Sequence, residues 1–145
     1  MTTPARGAGG GGAANLATLP IRSSEDIVRM RQAVRERALA QGFGLVDQTK
    51  VVTAASELAR NTLDYGGGGE VTVESLSHAG RTGLRLVFTD RGPGIPDIER
   101  ALKDGFTTGN GLGLGLGGAK RLSSEFDIDS APGQGTRITI TRWRA

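Results

Sequence analysis

Glu57 and Asn61 stand four residues apart, the spacing that puts two side chains on one helix face, one turn from each other. A carboxylate and an amide oxygen so placed can hold Mg2+ and orient a proton acceptor beside it. Most E-x-x-x-N pairs are only a solvated polar face, so this pair carries weight through what accompanies it.

Two loops accompany it. The first is Thr89-Asp90-Arg91-Gly92-Pro93-Gly94-Ile95-Pro96, an aspartate at an expected strand end followed by two glycines around a proline. That composition forces a tight turn with little side-chain bulk, so a planar ligand can approach the backbone. The Asp90 carboxylate can there accept a hydrogen bond from an exocyclic amine such as that of adenine. Taken alone, the same stretch reads as an Asp-initiated surface turn. The second loop is Gly109-Asn110-Gly111-Leu112-Gly113-Leu114-Gly115-Leu116-Gly117-Gly118, running into Ala119-Lys120-Arg121-Leu122. Each glycine disfavours helix by about 1 kcal/mol against alanine, yet the run feeds a helix. Amides converging on a helix start make a phosphate cradle. No Gly-Lys-Ser/Thr follows, so it is not a Walker loop, and it does not leave a strand as a dinucleotide fingerprint does. The leucines alternating with the glycines distinguish it from a low-complexity linker.

The elements that must position these residues follow from periodicity. A helix starts at Ser23/Ser24, with Glu25 and Asp26 in its first turn; it carries Ile27, Met30, Val34 and Ala38 inward and stops at Gly42 and Gly44. A second helix runs from Asp47 through Val51, Ala55, Leu58 and Thr62 to Gly66. The period then changes to two: strands over Glu70–Leu76 and around Leu84–Phe88 form a hairpin across His78–Gly83. A short helix is expected from Pro96 to Asp104 and another over Leu116–Phe126. Strands near Phe126–Ser130 and Thr136–Arg142 follow, joined through Ala131-Pro132-Gly133-Gln134-Gly135. Helices, hairpin, helix, hairpin make an α+β two-layer sandwich.

The chain of 145 residues is the size of one domain. Residues 1–15 are mostly Gly and Ala and are expected to be a disordered tail, with the domain over 16–145. Aromatics are 4% of the chain, so the core should be aliphatic. The absence of cysteine excludes disulfides and thiolate metal sites, and the lone His78 excludes a histidine cluster. No apolar run approaches the roughly 20 residues of a membrane span, and the start lacks a signal-peptide pattern; a soluble cytoplasmic protein is expected. The net charge is +3, with basic residues scattered apart from Arg137, Arg142 and Arg144. Nucleic-acid binders gather such residues on one face among aromatics. A basic surface meeting an acidic protein partner is therefore favoured over nucleic-acid binding.

The succession E-x-x-x-N, D-x-G-x-G, G-x-G-x-G-L and Gly135-Thr136 before a last strand is far more specific than its parts. It resembles the GHKL ATPase/kinase superfamily over residues 57–136. Gly42-Phe43-Gly44, Val46-Asp47-Gln48, Ser56-Glu57-Leu58-Ala59-Arg60-Asn61, Asp104-Gly105-Phe106-Thr107-Thr108 and Lys120-Arg121-Leu122 narrow the resemblance. They look most like the RsbT-like switch serine/threonine kinases of bacterial partner-switching systems. The resemblance implies the Bergerat fold, a mixed and mostly antiparallel sheet with helices on one face, and ATP and Mg2+ as cofactors.

It also implies roles. Glu57 would be the general base or hydroxyl orienter, and Asn61 the Mg2+ ligand. Asp90 would bind the adenine amine, with Thr136 beside it and Gly92 and Gly94 shaping the wall. Gly111, Leu112, Gly113, Leu114 and Gly115 would form the phosphate loop, with Lys120 a phosphate contact and 104–110 a short lid. The implied substrate is a STAS-domain antagonist protein, and the implied second partner a metal-dependent protein phosphatase. Two alternatives stand beside this: an anti-sigma factor kinase that holds a sigma factor, and a module that holds ATP without turnover. A sensor histidine kinase fits less well, since no phosphoacceptor-histidine helix precedes the domain and His78 falls in a hairpin turn. An aliphatic outer face at a sheet edge is expected to leave room for a homodimer.

Overall fold

The computed structural model describes residues 16–103 and 115–145. The expected tail, the lid and Gly111–Leu114 lie outside the described residues. Five strands and four helices run in the order β1 (Leu16–Ile21), α1 (Ser24–Ala40), α2 (Leu45–Asp64), β2 (Gly69–His78), β3 (Arg81–Asp90), α3 (Ile98–Ala101), α4 (Gly115–Arg121), β4 (Glu125–Ser130) and β5 (Thr136–Trp143). The strands form one sheet, β1-β2-β3-β5-β4, in which every pairing is antiparallel. The two-layer α+β sandwich is as expected, and its sheet is antiparallel throughout the described strands.

The period-two alternation sets what each sheet face carries. Register stacks Leu19, Val71, Phe88, Ile138 and Ile128 in one inward row, and Ala17, Val73, Leu86, Ile140 and Phe126 in the next. Against these rows α1 buries Ile27, Met30, Val34 and Ala38, while α2 buries Val51, Ala55, Leu58 and Thr62. These are the positions the helical spacing selects, and they make an aliphatic core. Burying each larger side chain contributes about 1.5–3 kcal/mol. The outer face mixes polar and apolar residues: its rows read Thr18, Thr72, Val87, Thr139 and Asp127, and Leu16, Glu74, Arg85, Thr141 and Glu125.

Several boundaries differ from the sequence expectation, each for a local reason. β1 went unread because it is short, contains Pro20, and adjoins the Gly/Ala-rich segment; a proline of this kind is tolerated on an edge strand, and β1 is the sheet edge. The helix expected over Leu116–Phe126 ends at Arg121, because Phe126 belongs to β4 opposite Ile140. The helix expected over Pro96–Asp104 narrows to Ile98–Ala101, where the Asp97 side chain caps the Arg100 N–H at 3.0 Å. The first hairpin closes in two residues, Ala79 and Gly80, both with positive φ (53° and 80°), the conformation that matches strand twist.

The start of α2 is the most informative difference. The helix begins at Leu45 with Gly44 as its N-cap, which has no side chain to offer. Asp47 is therefore not a cap. It is buried and accepts Arg142 Nη2 at 2.7 Å and the Ala145 N–H at 3.0 Å. Arg142 also donates to the Leu122 carbonyl at 3.1 Å, and Arg144 Nε donates to the Gly42 carbonyl. The basic cluster read at Arg137, Arg142 and Arg144 is thus dispersed: Arg142 turns inward, Arg144 ties the last residues to the α1–α2 turn, and Arg137 pairs with Asp129 on the outer face. Among the described residues no helix is long and apolar enough to cross a membrane.

The Arg142 guanidinium, ahead of opposing burial, holds the Asp47 carboxyl below the ordinary carboxylate range, with the Ala145 N–H adding to the effect. A depressed folded-state value contributes stability above the unfolded value of about 4 and loses it as pH falls through the folded value. Removing one partner of a buried pair leaves the other uncompensated, so Asp47→Ala is expected to lose about 3 kcal/mol at pH 7. Urea unfolding of both proteins at pH 7 and pH 3 checks this: the deficit must narrow at the lower pH.

Candidate functional site

At one end of the sheet the inward rows stop being aliphatic. The last row reads Ile21, Gly69, Asp90, Thr136 and Ser130. Small and polar residues where the core rows would place large ones leave space. A cavity of about 280 Å³ opens there, its walls Phe88, Ile95, Ala101, Leu116 and Ile138, with Asn61, Tyr65, Asp90, Arg100 and Thr136 bringing polar atoms to it. An apolar cavity with a few converging polar groups is the usual form of a small-molecule site.

Asp90 ends β3, with its side chain in the row that faces the cavity. Burial pushes its carboxyl above the ordinary range, opposed by the backbone N–H groups of Gly92 and Thr136. The Gly92 N–H donates to Asp90 Oδ1 at 2.9 Å. Gly66, just past the end of α2, lies against this carboxylate so closely that a Cβ there would overlap Asp90 Cγ. Gly94 has φ +79°, and a Cβ on it would strike the Ala131 carbonyl. The two glycines of the D-x-G-x-G loop are thus one amide donor and one left-handed close approach.

On α2, Asn61 lines the cavity, while Glu57, one turn back, is buried and not among its lining residues. Glu57 Oε1 accepts the Gly115 N–H at 3.2 Å. The carboxylate of the helix is thereby joined to the first residue of α4, where the glycine run meets the helix; Gly115–Ala119 are all buried. Lys120 is exposed on α4 and does not line the cavity. Thr136 is buried, with its hydroxyl 2.8 Å from Ser130 Oγ.

The structure brings Asn61, Asp90 and Thr136 to one cavity, with Gly92 and Gly94 in its supporting turn and Glu57 and Gly115 bonded beside it. Sequence reasoning missed Gly66, Tyr65 and Ser130. Gly66 was read only as a helix end, and its role depends on an aspartate 24 residues later. Ser130 carried a usable signal. In the alternation Phe126, Ile128, Ser130 it is a polar residue at an inward position, and buried polar groups need partners.

Residues 46–144 match the family model for the histidine kinase-, DNA gyrase B- and HSP90-like ATPases. The serine/threonine-protein kinase RsbT of Bacillus subtilis (strain 168) is 47% identical over 123 residues, spanning 85% of this chain and 92% of that protein. The anti-sigma F factor of Thermoanaerobacter sp. (strain X514) is 28% identical over 99 residues, 64% of this chain and 68% of that protein. Among solved structures, the RsbU and RsbW domains of a Mycobacterium tuberculosis protein align with a TM-score of 0.60 at 22% identity, over 90% of this chain and 33% of that one, a likeness of fold. The chain belongs to the histidine kinase-, DNA gyrase B- and HSP90-like ATPase family, within its RsbT-like serine/threonine-protein kinases.

Proposed function

We propose that this chain transfers the γ-phosphoryl group of ATP to a serine or threonine hydroxyl of a STAS-domain antagonist in a bacterial partner-switching module. Once released, it would bind and activate a metal-dependent protein phosphatase. The observation that carries the ATP reading is the row of Asp90 and Thr136 at the base of an apolar cavity, with Asn61 on its wall. Adenine suits this shape. Its faces would lie between Ile95, Leu116 and Ile138, and its exocyclic amine would donate toward the Asp90 carboxylate. Tyr65, half-exposed beside the cavity, would cover the ribose side.

Phosphoryl transfer needs positioning and charge neutralisation more than covalent help. Among the described residues no cluster of three or more acidic, His or Cys side chains is built to cage a metal. That suits Mg2+, which keeps most of its water and takes one or two protein ligands beside the phosphates. Asn61 is the residue that would hold it, and the ion would supply neutralisation of phosphate charge there. Amides of the glycine run from Gly111 to Gly115 would cradle the phosphates, with Lys120 at their outer side. Glu57 would accept the hydroxyl proton of the substrate as its oxygen bonds to γ-phosphorus and the bond to the β-phosphate oxygen breaks. A carboxylate offers about four lone-pair positions, so accepting the Gly115 N–H does not exhaust it. The anti-sigma reading draws on the 28% relative, whereas the 47% relative favours the switch kinase.

Because Glu57 also holds Gly115, alanine confounds chemistry with structure. Glu57→Gln keeps an acceptor for the Gly115 N–H but removes the base. It is expected to retain ATP affinity by calorimetry while transfer of radiolabelled phosphate to a STAS protein falls about 10²–10⁴-fold. Transfer at the wild-type rate would remove Glu57 from the chemistry. Wild-type protein that binds Mg-ATP but labels no STAS protein would favour the module without turnover.

Asp90→Asn presents an amide where the adenine amine donates, and ATP affinity is expected to fall by at least about tenfold. Since burial raises the Asp90 value, the folded state favours its neutral form; that contribution is present below the unfolded value and lost as pH rises through the folded one. At neutral pH the charged carboxylate is therefore held at a cost. The ligand-free asparagine variant should melt no lower than wild type, and wild-type ATP affinity should weaken on acidification from above the ordinary carboxylate range. Thermal melts and a calorimetric pH series check both.

A further inference from the structure

Ser130, the last residue of β4, takes no part in the reading above, yet its hydroxyl has three polar neighbours. Its Oγ lies 2.8 Å from the Ile95 nitrogen, 3.0 Å from the Gly135 carbonyl oxygen and 2.8 Å from Thr136 Oγ1. The three bonds can be assigned by counting protons. A serine hydroxyl has one hydrogen and two lone pairs. The Ile95 N–H can only donate, and so fills one lone pair. The Gly135 carbonyl can only accept, and so takes the serine hydrogen. One lone pair is left for Thr136, whose hydroxyl must therefore point its own hydrogen at Ser130.

The consequence falls on the cavity. Thr136 is buried and lines it, and with its hydrogen committed to Ser130 its hydroxyl can meet a ligand only as an acceptor. An ionised Asp90 is likewise an acceptor only. This end of the cavity thus presents lone pairs and no side-chain proton. It fits a ligand edge bearing an N–H donor, met directly or through a water that turns both hydrogens toward the protein. It opposes a carbonyl oxygen at the same place.

We infer that Ser130 is a specificity-determining positioning residue, which by fixing Thr136 as an acceptor makes the site select 6-amino over 6-oxo purine nucleotides. The inference rests on the adenine reading of the cavity. A mismatch of this kind discriminates strongly, because it leaves buried polar groups facing like partners.

Calorimetric titration of the full chain with ATP, with the purine ribonucleoside triphosphate that lacks a 6-substituent, and with ITP and GTP tests it. The wild type should bind ATP best, ahead of the unsubstituted purine, which lacks the 6-amino donor, and ahead of ITP and GTP, whose 6-oxo group meets only acceptors. Ser130→Ala frees the Thr136 hydroxyl to turn and donate, so the ATP-over-GTP preference should shrink by at least about tenfold. Ser130→Thr, which keeps the hydroxyl, should restore it. A folded alanine variant with the wild-type preference would overturn the inference, and so would wild-type protein that binds GTP or ITP as well as ATP. Where Ser130→Ala does not fold, Ser130→Cys, whose thiol is only a weak acceptor, makes the same test: a preference unchanged from wild type overturns the inference. Failure of the wild type to bind any of the four nucleotides would instead sink the adenine reading itself.

Discussion

Drawing a carboxylate part-way out of water is unfavourable unless hydrogen bonds compensate, and Asp90 sets this constraint on everything around the cavity. Its partners are backbone amides, Gly92 from the turn it begins and Thr136 from the neighbouring strand. No described cation bonds to it. The packing around the carboxylate leaves no room for side chains: a Cβ on Gly66 would overlap it, and one on Gly92 would strike Gly66. The turn then needs the left-handed Gly94 to return toward Ala131, where Gly133 N donates to the Pro93 carbonyl at 2.7 Å. The glycines cost stability in any regular element. They make sense together as the socket of one side chain.

Asp47 shows what the same kind of group does when its surroundings are arranged for stability. Its carboxyl is held below the ordinary range, because a guanidinium meets it at 2.7 Å and outweighs its burial. Asp90, with amides alone, is pushed the other way. Two aspartates whose environments drive them in opposite directions have different tasks. Asp47 locks the start of α2 to the end of β5. Asp90, held by amides, lines the cavity.

This contrast also explains what was legible in the sequence. The sandwich and its core were, because Ile27, Met30, Val34 and Ala38 repeat at 3.6 and Val71, Val73, Leu86 and Phe88 at 2, and periodicity is set by burial. The Asp90 turn and the Glu57–Asn61 pair were, because their spacing is local. What escaped depends on residues distant in the chain. Asp47 reads only as the start of a helix until Arg142, 95 residues away, is brought beside it. Gly66 resembles a helix stop until Asp90 packs on it. β1 escaped because an edge strand with a proline earns its structure from its neighbour β2 rather than from its own composition.

The Glu57–Gly115 bond gives the motif order its physical sense. A carboxylate on α2 that touches only its own helix could be altered without affecting the loop. Here an oxygen of Glu57 receives the first amide of α4, so the carboxylate of α2 and the position of the glycine run are tied together. Asn61, one turn further along α2, faces the cavity, and a rotation of α2 that improved one contact would disturb the other. The small residues Gly117, Gly118 and Ala119 are buried within α4 itself, the short helix that packs against α2. The four-residue spacing of Glu57 and Asn61 is thus set by two demands at once, a bond to the glycine run on one turn and a cavity wall on the next.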